Sequence, residues 1–362
     1  MRILIAAGGT GGHLYPGIAL AREFKRQAKD SDILFVGTSR GLEGKVLERE
    51  GFPLQLIRVE GLMGRRVIKI LKALLLLPLS LADTFRVLRG FLPDLVIGIG
   101  GYASGPVVLL AGFFKTKRVV LEPNVMPGWT NRVLTRIGRV DLLILAFEES
   151  RVFFSHKPER VLVLGNPVRR DLVLQPTSDA PSGNTLLVLG GSQGAHSINL
   201  AMVQALGDFK RLKPDLFIIH QTGERDFDRV RRAYDEKGVK ARVEPFLFDM
   251  EQVYGQSDLV LCRAGATTLA ELTACGKPAI LVPYPHATHH HQFKNAMALA
   301  DAGAAIVVED RSLTGPVVVE KVLGLMGDRE RLGRMAQQSK AKGNPRATED
   351  IVKHCLELIK AG

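Results

Sequence analysis

Eight short apolar runs recur along the chain with helical spacing between them: RILIAA (2–7), DILFVG (32–37), LVIGIG (95–100), RVVLEP (118–123), TLLVLGG (185–191), LFIIHQ (216–221), LVLC (259–262) and AILVP (279–283). Strands that are apolar throughout, without polar alternation, are buried on both faces, and the intervening helices supply the cover. The pattern predicts an α/β protein of doubly wound parallel sheets. At 362 residues the chain exceeds one ordinary domain, and its second half echoes its first. GGTGGH at 8–13 returns as GGSQGAH at 190–196, and DLVIGIGG at 94–101 as DLVLCRAG at 258–265. Two similar domains are therefore expected, 1–164 and 165–344, joined through the Gly-, Pro- and Ser-rich stretch 165–184. Ile351, Cys355 and Leu358 predict a C-terminal helix, about 345–362, that packs back on one of the halves.

In an open α/β sheet, ligands bind at the carboxyl ends of the strands where strand order reverses. Two such sheets facing one another make a cleft lined by glycine turns. AAGGTGGHLYPG (6–17) has neither the GxGxxG spacing of a dinucleotide site nor a Walker lysine. Its glycines let main chain approach an anion, and the helix that follows offers free N–H groups and a positive dipole end. His13 stands at that helix start, where the dipole disfavours imidazolium and leaves a neutral ring able to accept a proton. It is read as a general base, with a structural loop-capping histidine as the alternative. GGSQGAHSIN (190–199) is a second such turn, in which Ser192 and the N–H groups of Gln193 and Gly194 suit a diphosphate; GGYASGP (100–106) is a third. Three turns from two similar sheets point to two phosphorylated ligands.

CRAGATTLAE (262–271) reads as a strand end, a turn at Gly265 and a helix capped by Thr267 or Thr268. Leu269 and Leu272 face its core, which leaves Glu271 on another face where a carboxylate accepts from a ribose diol. HATHHHQFKN (286–295) lacks metal-ligand spacing and reads as a polar loop contacting a sugar through His291 and Gln292. Asp30 and Asp32 precede their strand, at the wrong end of the sheet to hold a metal-diphosphate.

The net charge of +12 and pI near 9.7 favour an anionic partner. Aromatics at 6%, without basic-aromatic alternation, argue against nucleic acid. Cys262, Cys275 and Cys355 fit neither a zinc site nor a disulfide framework, and the chain opens on a strand without a signal peptide, so a reduced cytosolic setting is expected. The apolar run Ala73–Ala82 is too short to span a bilayer and contains Pro78. Flanked by Arg65, Arg66, Lys69, Lys72, Arg86 and Arg89, the stretch 62–92 reads either as a segment lying on an anionic membrane or as a core helix with solvated lysines.

Taken together, GGTGGHLYPG, GGYASGP, EPNVMPGWTNR, GNPVRRDL, GGSQGAHSIN, CRAGATTLAE, PYP and HQFKNA resemble the MurG family of bacterial transferases, in the same order over essentially the whole chain. The resemblance implies a GT-B fold, two Rossmann-like domains facing across a cleft, with the C-terminal helix returning to the first. It implies an inverting transfer of N-acetylglucosamine from UDP-N-acetylglucosamine, without a cofactor or a tightly bound metal, to the 4-hydroxyl of undecaprenyl-pyrophosphoryl-muramyl-pentapeptide, at the cytoplasmic face of the membrane. By motif, Glu271 takes the ribose, the backbone near Leu247 the uracil, and Ser192, Gln193, Gly194 and Arg169 the diphosphate. Asn124, Gln292 and His291 take the sugar, and Thr10, Gly11 and Gly12 complete the donor contacts. The turn of Gly11 and Gly12, with Gly101, Tyr102 and Ser104, faces the acceptor pyrophosphate. His13 is the expected base and Glu122 its rival. The chain departs from some family members in reading LEPN at 121–124 for HEQN, and His291-Gln292 for a glutamine pair. Three competing readings remain: another UDP-sugar transferase of this fold acting on a glycolipid or small molecule, a UDP-sugar epimerase, and a nucleotide-sugar-binding regulator without turnover.

Overall fold

The computed structural model describes residues 1–8, 11–38, 43–59, 67–137, 140–154, 160–174, 184–191 and 193–361, the side chains at 11, 43, 45, 67–75 and 174 excepted. The chain divides into two compact units, Met1–Arg169 with Arg346–Gly362, and Arg170–Pro345. Residues 175–183 of the Gly-, Pro- and Ser-rich stretch lie outside the described residues.

The first unit alternates β1 (Arg2–Ala7), α1 (Gly11–Gln27), β2 (Asp32–Gly37), α2 (Glu43–Glu50), β3 (Leu54–Leu56), α3 (Val67–Phe91), β4 (Leu95–Gly100), α4 (Gly101–Ala111), β5 (Lys117–Glu122), α5 (Trp129–Ile137) and β6 (Leu142–Leu145). A 3₁₀ segment, Glu148–Phe154, leads to β7 (Val161–Val163). All pairings are parallel, in the order β3-β2-β1-β4-β5-β6-β7. The order reverses between β1 and β4, and the carboxyl ends of such strands are where open α/β sheets bind ligands.

The second unit holds α6 (Arg170–Leu174), β8 (Thr185–Leu189), α7 (His196–Leu212), β9 (Phe217–Gln221), α8 (Phe227–Lys237), β10 (Ala241–Glu244), α9 (Met250–Gln256), β11 (Leu259–Cys262), α10 (Ala266–Ala274), β12 (Ala279–Leu281), α11 (His291–Ala300), β13 (Ala305–Val307), α12 (Gly315–Gly327) and α13 (Arg329–Lys342). Its parallel sheet runs β10-β9-β8-β11-β12-β13, with the reversal between β8 and β11. The internal echo is thus structural: GGTGGH and GGSQGAH follow the first strand of each sheet, and DLVIGIGG and DLVLCRAG supply the strand across each reversal.

Both faces of each sheet are covered, as continuous apolar strands require. On one face of the first sheet, Ile18, Leu20 and Phe24 of α1 pack with Ile351, Val352 and Cys355 of the C-terminal helix α14 (Ala347–Lys360). On the other, Val87 and Leu88 of α3, Val107 and Val108 of α4 and Leu134 of α5 cover Leu4, Val36, Val96 and Val120. Each such fully buried side chain contributes about 1.5–3 kcal/mol. Thr348 anchors α14, accepting from the N–H of Val168 at 3.0 Å and donating to its carbonyl at 2.6 Å. Helix α3 continues through Pro78. Among its described side chains, Asp83, Thr84, Val87 and Leu88 are buried while Leu77, Leu79 and Phe85 are exposed.

Candidate active site

At the reversal of the first sheet, two glycine turns meet main chain to main chain. Gly101 has φ +76°, and a Cβ there would stand 2.0 Å from the carbonyl oxygen of Gly8, so only glycine fits. His13, the third residue of α1, lies over the neighbouring Gly100, where a Cβ would stand 2.8 Å from Cδ2 and 2.9 Å from Nε2 of the imidazole. Gly11 and Gly12 open α1, and Thr10 lies outside the described residues. Tyr102 is exposed in the first turn of α4.

Ser104 is fully buried, and its hydroxyl accepts from the Gly100 N–H at 3.0 Å and reaches the carbonyls of Ala6 at 2.8 Å and Gly100 at 2.7 Å. With its oxygen enclosed by backbone, Ser104 ties β1 to the start of α4 and shapes the turn expected at the acceptor.

Glu122 ends β5 and is 2% exposed. Four donors converge on its carboxylate: the Asn124 N–H and amide at Oε1, 3.0 and 3.3 Å, and the Gly128 N–H and Asn131 amide at Oε2, 3.0 and 2.9 Å. Burial pushes its pKa above the ordinary glutamate value, and these four hydrogen bonds oppose the rise. The carboxylate is the knot of the loop 122–131, which also sets the position of Asn124.

In the second unit, Gly194 has φ +75° and its Cβ would stand 2.0 Å from the carbonyl of Thr222, so the 190–194 turn is seated directly on the strand end beside it. Gln193 is exposed, and Ser192 lies outside the described residues. Gln221 bridges this turn to a distant segment: its amide donates to the Gly191 carbonyl at 2.9 Å and its oxygen accepts from the Leu247 N–H at 3.0 Å. The Leu247 N–H is thereby engaged within the unit. Helices α4, α7 and α10 have Gly100, Ala195 and Gly265 at their N-caps, none with a side-chain capping bond. The expected cap on α10 is therefore corrected: the helix begins at Ala266 with Gly265 at its N-cap, so Thr267 and Thr268 fall inside its first turn.

Glu271 is half-buried on α10 and accepts at Oε2 from the hydroxyl of Tyr254, 3.1 Å away. Arg263, after β11, donates to Asp310 at 2.5 Å, Ser197 at 2.9 Å and the Val282 carbonyl at 3.1 Å, and lies 5.5 Å from the Tyr284 ring centre. The Tyr284 N–H in turn donates to Oε1 of Gln292 at 2.9 Å, which fixes that amide with its oxygen toward the Tyr284 main chain. His291 donates from Nδ1 to the Thr288 carbonyl at 2.7 Å, and burial lowers its pKa.

Two family models match the chain: Glycosyltransferase family 28 N-terminal domain over residues 3–139, and Glycosyltransferase family 28 C-terminal domain over residues 185–351. The chain belongs to glycosyltransferase family 28. It is 46% identical over 361 residues to the UDP-N-acetylglucosamine--N-acetylmuramyl-(pentapeptide) pyrophosphoryl-undecaprenol N-acetylglucosamine transferase of Myxococcus xanthus, covering 99% of this chain and 93% of that protein. The crystal structure of Acinetobacter baumannii MurG superposes with TM-score 0.76 at 30% identity, over 100% of this chain and 99% of that one. A UDP-GlcNAc 2-epimerase from Neisseria meningitidis, at TM-score 0.67 and 15% identity over 99% and 100% of the two chains, shares the fold alone.

Within this family 28 transferase, the expected residues gather at the two reversals. His13, Gly12, Gly101 and Tyr102 lie at the first, and Gln193, Gly194 and Glu271 at the second. Glu122 ends β5 and Asn124 follows it, one strand removed from the first reversal, and Gln292 and His291 lie on α11, beyond β12. Arg169 closes the first unit, its Nε buried and without a hydrogen-bond partner. Sequence reasoning missed Gln221, Tyr254, Arg263 and Asn131, because each matters through a partner that no local spacing announces.

Proposed function

We propose that this glycosyltransferase moves N-acetylglucosamine from UDP-N-acetylglucosamine to the 4-hydroxyl of N-acetylmuramyl-pentapeptide carried on undecaprenyl pyrophosphate. The observation that carries this is the 46% identity to the M. xanthus enzyme of that name along 99% of the chain. In this reading, the second unit holds the donor, with Glu271 on the ribose, the Leu247 carbonyl on the uracil, and the uncapped start of α7, with Ser192, Gln193, Gly194 and Arg169, on the diphosphate. Asn124, His291 and the Gln292 NH₂ take the sugar, with Thr10, Gly11 and Gly12. The first unit takes the acceptor pyrophosphate at Gly101 and Tyr102.

The acceptor hydroxyl attacks the anomeric carbon in line as UDP leaves from the opposite side, which inverts the centre. His13 accepts the hydroxyl proton. The enclosure of Glu122 by four N–H donors favours His13 over it, because a carboxylate already saturated from within its own loop is poorly placed to meet an external hydroxyl. Charge developing on the departing diphosphate is stabilised by the α7 N–H groups and the Arg169 guanidinium. The exposed apolar face of α3, with Arg86 and Arg89, docks the enzyme peripherally on an anionic membrane at its cytoplasmic face. Among the described residues no helix is long and apolar enough to cross a membrane.

The test is transfer of labelled N-acetylglucosamine to the lipid-linked muramyl-pentapeptide. Product formation with anomeric inversion is expected. Hydrolysis or epimerisation of the donor without transfer to that lipid would overturn the assignment.

A further inference from the structure

Tyr254 ends up in an unusual place for a phenol. It is 1% exposed near the end of α9, within electrostatic reach of the buried Cys262 and Cys275. A buried hydroxyl needs a partner to offset its lost hydration, and this one finds it in a carboxylate seventeen residues away, Oε2 of Glu271 at 3.1 Å. Burial and the negative charge of Glu271 raise the Tyr254 pKa well above the ordinary phenol value and push the Cys275 thiol up to about 12, so the phenol keeps its proton and is the donor.

A carboxylate at the end of a glutamate side chain rotates freely about its last bond unless a neighbour fixes it. We propose that Tyr254 is a positioning residue for nucleotide recognition: its hydroxyl holds one oxygen of Glu271 in place, sets the orientation in which the carboxylate meets a vicinal diol, and so sets the preference for ribonucleotides over 2′-deoxyribonucleotides. This rests on Glu271 being the ribose contact. Tyr254 touches no substrate; it acts through Glu271. The α10 helix supplies the position of the carboxylate, and α9 supplies its orientation.

The experiment measures binding of UDP and of 2′-deoxy-UDP by calorimetry to wild type, Tyr254→Phe, Glu271→Gln and the double variant. Wild type should prefer UDP by roughly 10- to 100-fold, the range expected for hydrogen bonds to a charged group. Tyr254→Phe keeps the ring and the packing, and should lower UDP affinity about 3- to 10-fold while lowering that of 2′-deoxy-UDP, which keeps only the 3′-hydroxyl contact, less than twofold. In turnover it should raise KM for the UDP-sugar with kcat unchanged. In the Glu271→Gln background the same Phe substitution should change UDP affinity less than twofold.

Equal weakening of both nucleotides by Tyr254→Phe would make Tyr254 a packing residue and overturn the proposal. So would an undiminished Phe effect in the Glu271→Gln background. Should Tyr254→Phe fail to fold, Tyr254→Trp and Tyr254→Leu, read against the same nucleotide pair, decide between the same two outcomes. Absence of any ribo preference in wild type, or its persistence in Glu271→Gln, would instead remove Glu271 from the ribose, leaving the transfer reaction to be judged by its own assay.

Discussion

The imidazole of His13 rests on the main chain of Gly100, so closely that a methyl at position 100 would stand 2.9 Å from Nε2. The first helix of the first unit and the strand across the reversal thereby fix the ring of the proposed base. His13→Ala should lower single-turnover transfer by roughly 10²- to 10⁴-fold, the usual loss with a general base, while donor binding stays within twofold. Gly100→Ala, forced into φ +118° and against the ring, should lower the rate in the same direction with the histidine still present. A rate within threefold of wild type for His13→Ala would remove it from proton transfer.

Glu122 should behave as an anchor. In Glu122→Gln, whichever oxygen becomes NH₂ leaves two N–H donors without an acceptor, so a stability loss of about 1–3 kcal/mol is expected. Its raised pKa also gives a sign. The folded state keeps its proton at pH values where the unfolded chain has released it, so stability from this group is full below the ordinary glutamate value and falls as pH rises through the folded one. Denaturant titrations across that acid window should show the wild-type advantage over Glu122→Gln shrinking as pH rises. If Glu122→Gln instead loses more transfer rate than His13→Ala while folded, the two roles exchange.

Asp83 gives the opposite sign. The Arg58 guanidinium, hydrogen-bonded to it at 2.7 Å, holds its carboxyl down at about 2. The associated stability is present above the ordinary aspartate value and is lost as pH falls toward 2. Melting curves of wild type and Asp83→Asn should therefore differ at neutral pH and converge in acid; a gap that stays constant would show that the pair is not the cause.

Gln221 ties the diphosphate turn to the segment proposed for the uracil, through Gly191 and Leu247. Gln221→Leu should raise the Kd for UDP about 5- to 30-fold, corresponding to one or two lost hydrogen bonds at about 1 kcal/mol each. An unchanged Kd would mean that the bridge does not shape the donor site.

The outer face of α3 exposes Leu79 and Phe85 beside Arg86 and Arg89. Leu79→Asp with Phe85→Asp should abolish co-sedimentation with vesicles containing anionic lipid, while transfer to a short-chain, water-soluble acceptor is unaffected. Retained vesicle binding would place the membrane contact elsewhere.

Much of this architecture was legible in the residues alone. Eight strands stand out by unbroken apolar character; β3, β6, β7, β10 and β13 did not, since each is three or four residues long and four of the five, all but β6, are sheet edges, where burial is partial. The glycine turns were readable because an apolar strand followed at once by glycines has few other uses. His13, Gly194 and Glu271 follow from their places relative to those turns.

Local features follow from the residues: periodicity, turn chemistry and the end of each strand at which polar groups collect. How those groups are held depends on the packed fold. Tyr254 and Glu271 are 17 residues apart, Gln221 and Leu247 are 26, and Arg263 and Asp310 are 47. The enclosure of Glu122 and Ser104 likewise appears only once the sheet and its helices have excluded water from them. Hydrogen-bond partners and desolvation depend on distances through space, and those are set by packing, not by spacing along the chain.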